Sequence, residues 1–425
     1  MRTGAAAGGV GDVCGGVGAD PQHGHSRRVY RWRAGRGTGG PHGPAVIGDV
    51  VGLTDMTTLV TAWIVTGGLF VVTVAFTPRL TAPVVGVLAR AALVLLTAVG
   101  LLVGVGLQLN GDNGWYVSWE DLAGAQAQAQ VSTEGDAAAA AAAAPGRSQD
   151  ATTTDASTER PPLPSPGTRR QEFTVTGDAS HLTLPVSVTL PASYATSPTR
   201  RYPVLIAYHG YPGAPSGWTK TMRVGQAIDE QVAANRLAET IVVVPQINSP
   251  LSRDGECMDG PAGTPQLETW LTEDVPRFAK ARLRTIEDRS AWATIGYSAG
   301  AYCSAVAGIL HPETFGAAIV MGGYVRPDFA DGPPVLPAGS PAAGRYDLVA
   351  AVRKHTPSVA LWVQAGRQSP YWSQIQALEQ AVRPPTSLTT VVEPDSGHRW
   401  SVWQARLPDA LRWLGAEIPG FRPQR

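Results

Sequence analysis

Two stretches near the start of the chain limit what it can fold into more than any other feature. Residues 58–76 carry no charge, and residues 84–109 carry only Arg90. Each supplies the roughly 20 apolar residues that a helix needs to cross a hydrocarbon core of about 30 Å. A buried helical hairpin would show the same pattern. A cleaved signal peptide fits less well, because its apolar region runs for only about 7 to 15 residues before a small-residue cleavage site. The expectation is therefore two transmembrane helices within residues 56–110, with the lipid bilayer as the partner of residues 58–109. Arg79 and Arg90 lie in or beside the short connection, which the positive-inside rule assigns to the cytoplasm. Both flanks, and all that follows, are then expected outside the cell membrane.

Residues 1–55 are rich in Gly and Arg without apolar periodicity, and are expected to be disordered. Met56 stands immediately before the first apolar run and is the expected translation start. The arginines before residue 40 oppose the topology just given, a conflict that disappears if they are not translated. Residues 111–170 hold an Ala/Gln alternation, eight alanines at 137–144 and many Ser, Thr and Pro. Such a sequence buries too little apolar surface to offset its ordering entropy, although alanine favours helix. It reads as a disordered extracytoplasmic linker, a tether for the domain after it.

Lys plus Arg equals Asp plus Glu at 34 each, which argues against nucleic acid or an acidic polymer as the main partner. Cys14, Cys257 and Cys303 are too few for a disulfide scaffold and lack zinc-site spacing. No metal and no cofactor are expected. Cys257 and Cys303 alone fall in the globular part, as a bridge or as two buried thiols.

Residues 171–425 read as one α/β domain. Short β-rich runs at 182–190, 204–208, 241–244, 292–295, 317–321, 360–364 and 388–392 alternate with helical stretches at 222–238, 267–283, 299–310 and 371–381. That alternation predicts a mostly parallel sheet with helices on both faces. In such sheets ligands bind at the carboxyl ends of the strands. The sequence Gly296-Tyr297-Ser298-Ala299-Gly300 falls at one such end, after an apolar run and before a small-residue helix. A nucleophile elbow needs that setting, a serine on a strained turn between glycines; a tight structural turn is the alternative. A serine hydroxyl needs a base, and in this arrangement the histidine comes last in the chain. His398 fits, in the loop after the run 388–392, whereas His181 precedes the serine and His311 ends a helix. The oxyanion of a tetrahedral intermediate needs two backbone N–H donors. Ala299 is the expected first, and Tyr211, in the loop 209–213, the expected second.

At these residues the chain resembles the esterase D-like branch of the α/β hydrolases, which includes the mycobacterial mycolyltransferases. The carriers are Arg201-Tyr202-Pro203-Val204 leading to His209-Gly210, the stretch 267–276 (LETWLTEDVP), the elbow with Phe315-Gly316-Ala317 after it, and Gly397-His398. The resemblance covers residues 186–414 and implies the α/β-hydrolase fold, a membrane-anchored arrangement, and a disulfide between Cys257 and Cys303. It also implies a carboxylate after the run 360–364. That loop reads AGRQSPYW and has none, with Ser369 at the position where an Asp is expected. Asp395 is the candidate acid, and Asp328 and Asp331 are alternatives. The expected function is a membrane-tethered, extracytoplasmic serine esterase acting on an ester or acyl-donor substrate. A mycolyltransferase-like acyltransferase and a catalytically inactive hydrolase fold used for binding or scaffolding are the rival readings.

Overall fold

The computed structural model describes residues 52–423 apart from 114, 117, 124–128, 143–167, 249–253 and 331. The disordered reading of the first 55 residues therefore falls almost wholly outside the described residues. Helices α1 (Met56–Phe76) and α2 (Val85–Asn113) follow, joined by a short turn at Thr77–Arg79. They pack as a hairpin. The Thr73 and Thr97 hydroxyls hydrogen-bond across it at 2.9 Å, and Gly100 and Gly104 lie against Thr66 and Trp63. Most of their apolar side chains point away from protein, Ile64, Val71, Leu88 and Leu102 among them. Both helices are long and apolar enough to cross a membrane.

A nine-stranded sheet forms the rest: β1 (Gln130–Glu134), β2 (Arg170–Thr176), β3 (Thr183–Thr189), β4 (Val204–Tyr208), β5 (Ile241–Pro245), β6 (Trp292–Tyr297), β7 (Ala317–Met321), β8 (Ala360–Gly366) and β9 (Ser387–Glu393). Their spatial order is β1-β9-β8-β7-β6-β4-β5-β3-β2. The six strands from β5 to β9 in that order are parallel. On one edge β3 pairs antiparallel with β5 and β2 antiparallel with β3, and on the other β1 pairs antiparallel with β9. The central strands are buried on both faces, which is why they read as continuous apolar runs. Their side chains divide by parity: Leu205, Ile295 and Ile319 face one layer, and Ile206 and Val320 the other.

The first layer is built by α5 (Val224–Ala233) and α12 (Trp400–Glu417). The second holds α6 (Leu267–Thr269), running through a π-helical turn into α7 (Val275–Arg282), with α8 (Ala299–Leu310), α10 (Leu348–His355) and α11 (Trp372–Ala381). Two short helices, α3 (Trp119–Leu122) and α4 (Ala137–Ala142), precede β2, and α9 (Pro341–Gly344) precedes α10.

Part of the segment assigned by composition to a tether is built into this domain. Strand β1 pairs with β9 along its length, from Gln130↔Val392 to Glu134↔Leu388. Helix α4 then buries Ala137, Ala140 and Ala141 in the first layer. Alanine makes this docking close, and Arg289 fixes it by donating to the carbonyls of Ala140 and Ala141 at the helix end, where carbonyls lack intrahelical partners. Its other donors reach Pro312, Phe315 and Ser358 carbonyls. Residues 143–167 of the expected linker lie outside the described residues.

Candidate active site

Ser298 sits between β6 and α8 with φ 56° and ψ −129°, a region a side chain enters only when its surroundings force it. The surroundings do so here. A Cβ at Gly296 would collide with the Gly300 carbonyl, and one at Gly300 with the Tyr208 carbonyl at the end of β4. The Ser298 amide donates to Met321 O on β7 at 3.1 Å, which ties the turn to the neighbouring strand. Ala299 is the first residue of α8, so its N–H has no intrahelical acceptor and points out of the helix N-terminus.

His398 lies between β9 and α12. Its Nε2 is 2.8 Å from Ser298 Oγ. With the serine hydroxyl donating to Nε2, the ring proton resides on Nδ1. The ring stands edge-on to Trp403 at 4.9 Å. Trp403 also stacks on Tyr297 at 5.1 Å, and Trp400 packs on Tyr297 at 4.5 Å. This aromatic wall covers part of the half-buried ring, and burial pushes His398 down to about 4. The imidazole is therefore neutral at pH 7, the form that accepts a proton.

The loop 209–213 after β4 faces the serine from the other side. A Cβ at Gly210 would stand 3.1 Å from Ser298 Cβ, so a side chain there would crowd the serine. His209 is fully buried beneath it, with Nδ1 2.8 Å from Gly210 O and Nε2 3.2 Å from Gln246 Oε1. Burial holds His209 down at about 4, so it is a neutral strut rather than a second base. Tyr211 follows Gly210 on this loop, before a cis bond to Pro212.

The structure brings Ser298 and His398 together, with Ala299 and the loop of Tyr211 beside them; Asp395 it leaves apart. The Asp395 carboxylate is exposed and accepts from Gln368 Nε2 at 3.1 Å. Asp328 accepts from the Tyr371 hydroxyl at 2.6 Å, and Asp331 lies outside the described residues. Glu393, at the end of β9, is buried against Arg406. Ser369 accepts from the Tyr371 amide at 3.2 Å. Among the described residues, His398 has no carboxylate partner. Cys257 and Cys303 are bonded, with Cα atoms 5.5 Å apart, and link the loop before α6 to the elbow helix. Among the described residues there is also no group of three or more His, Cys, Asp and Glu side chains able to hold a metal.

One neighbour of the base escaped the sequence reading. Arg399 reaches across the molecule to Asp121 on α3, 278 positions earlier. No local pattern signals a pair so far apart in the chain.

A strained serine against a neutral histidine, next to a helix N-terminus and a glycine-floored loop, can perform acyl transfer through a covalent intermediate. The Esterase family model, described as "Putative esterase", matches residues 181–414. A ferulic acid esterase structure is 23% identical and covers 58% of this chain and 96% of its own, with a TM-score of 0.49. The S-formylglutathione hydrolase of Agrobacterium tumefaciens is 16% identical and covers 59% of this chain and 95% of its own, with a TM-score of 0.50. An uncharacterized protein of Corynebacterium glutamicum is 28% identical over 138 residues, about a third of either chain.

Proposed function

The chain belongs to the Esterase family of α/β hydrolases, whose members are carboxylic-ester hydrolases or acyltransferases, and from that premise we infer a serine esterase with Ser298 as nucleophile and His398 as base. Ser298 Oγ attacks the ester carbonyl while its proton passes to His398 Nε2. The collapsing intermediate expels the alkoxide, which takes that proton and leaves as the alcohol. Water then attacks the acyl-enzyme, with His398 again receiving the proton and returning it to Ser298. The N–H of Ala299 and one from the loop of Tyr211 are the donors to the oxyanion, each worth roughly 3 to 4 kcal/mol in a known hydrolase. The reading assigns α1 and α2 to the bilayer and the sheet domain to its extracytoplasmic side, residues 171–425 being its catalytic core.

The observation that carries this function is the 2.8 Å approach of His398 Nε2 to Ser298 Oγ at a strained elbow. The test is labelling with a fluorophosphonate probe together with turnover of short-chain p-nitrophenyl esters. Ser298-dependent labelling with turnover is expected. Labelling without turnover would favour an acyltransferase whose acceptor is not water, and no labelling of the folded protein would favour the binding or scaffold reading.

A further inference from the structure

We propose that Asp121 is a positioning residue for the base, acting through Arg399. This rests on the assignment of Ser298 and His398 above, and concerns what holds His398 in place when no carboxylate stands beside it. Arg399 follows His398 directly and is the last residue before α12, in extended conformation with φ −152° and ψ 160°. Its guanidinium donates from Nη1 to Asp121 Oδ2 at 2.7 Å and from Nη2 to Asp121 Oδ1, a two-pronged pairing. Nη1 also donates to Trp115 O at 2.7 Å, and Nε to Ser401 Oγ at 2.9 Å. The guanidinium lies over the Tyr116 ring, 4.4 Å from its centre. Every nitrogen of the fork is thus engaged, and the Asp121 side chain is only 1% exposed against 12% for Arg399.

Asp121 is itself fixed, since its amide donates to the capping Ser118 Oγ at 3.0 Å. The loop 394–399 between β9 and α12 contains no regular structure. Its last residue is nevertheless anchored by these contacts, and one peptide bond joins it to His398. A buried ion pair is a poor source of net stability, because removing two charges from water offsets most of their attraction. Its better-attested use is to specify one arrangement, and the arrangement specified here is that of the residue next to the base. In acid-bearing triads the carboxylate holds the imidazole in place directly; here α3 holds its backbone.

The test uses the full chain in detergent micelles, with p-nitrophenyl butyrate as substrate and a fluorophosphonate probe. Asp121→Asn is expected to lower kcat and the labelling rate together by up to about 10²-fold, the cost of a small misplacement far from the chemistry. KM should stay unchanged. Asp121→Glu should recover much of the loss, and Arg399→Lys, which keeps charge without the fork, should fall between. Should Asp121→Asn fail to fold, the double variant Asp121→Leu with Arg399→Met removes both charges at once, and is expected to fold while remaining slow. Turnover and labelling within twofold of the parent, in Asp121→Asn or in that double variant, would overturn the proposal. Ser298→Ala measured alongside separates the two claims, because full activity there sinks the dyad itself, whatever Asp121 does.

Discussion

Ser298 and His398 meet at a single hydrogen bond, yet the two sides of that bond are held by different physics. The serine side is fixed by backbone crowding. Gly296 and Gly300 leave no room for a Cβ, the Ser298 amide is tied to Met321, and strands β4, β6 and β7 lie immediately beneath. The histidine side is fixed by side chains. It has an aromatic wall from Trp403, a charge pair at Arg399, and no carboxylate among the described residues. Crowding tolerates almost no substitution, whereas a loop held by side chains can gain or lose a partner without loss of fold.

The sharpest way to break this comparison is to remove each partner. Ser298→Ala and His398→Ala are each expected to lower kcat by about 10²-fold, what is left of the roughly 10⁶-fold of a complete triad once the acid is absent, and the double variant to lose no more than either, because the two residues act as a unit. Steady-state ester hydrolysis checks this, and a mild His398→Ala would remove histidine from the mechanism. Next in size is a gain. Ser369→Asp places a carboxylate at the loop after β8, where the family pattern expects one, and should raise kcat by at least about tenfold, since loss of a triad acid costs roughly 10⁴-fold. An unchanged rate would show that this loop does not reach His398.

The serine side answers to stability rather than rate. Gly300→Ala forces a methyl into the Tyr208 carbonyl, and is expected to cost about 3 kcal/mol or more, at the upper end of overpacking effects. Urea denaturation measures it. A smaller effect lies in the pH profile. With His398 at about 4, below its ordinary 6.5, the base stays neutral and active down through the mildly acidic range. The acid limb of kcat/KM should therefore fall near pH 4, and Ser369→Asp should move it upward by favouring the imidazolium. An acid limb at 6.5 in the parent would show a solvated histidine. The smallest effect is expected from Asp395→Asn, less than about twofold on kcat, in keeping with exposed substitutions worth about 0.5 kcal/mol or less. A loss of a thousandfold would make Asp395 the acid after all.

The same contrast explains what the sequence disclosed. Strands such as 204–208 and 317–321 are legible because burial on both faces demands unbroken apolar runs, and their observed limits coincide with those runs. The serine turn is legible because its glycines are required within five residues of chain. Asp395 stands three residues before His398, but proximity in sequence says nothing about where a loop carboxylate points, and here it accepts from Gln368. Residues 130–142 were hidden for another reason. The strand QVSTE is exposed along its whole length and the alanine helix has no periodicity, so neither carries the amphipathic signal by which buried elements are recognised. Asp121 stayed invisible because its partner is separated from it by almost the whole domain.

The pairing of β1 with β9 has a consequence for how the molecule is made. The ladder joins Gln130 to Val392, so the first strand of the sheet has no partner until the last one has been synthesised. Contacts of such long sequence separation slow folding, because a large loop must close before they form. Until then β9 presents an open edge, the kind of surface that recruits strands from other chains. If residues 130–134 were cut away, that edge would remain open for the life of the protein, and self-association would be the first sign of their loss.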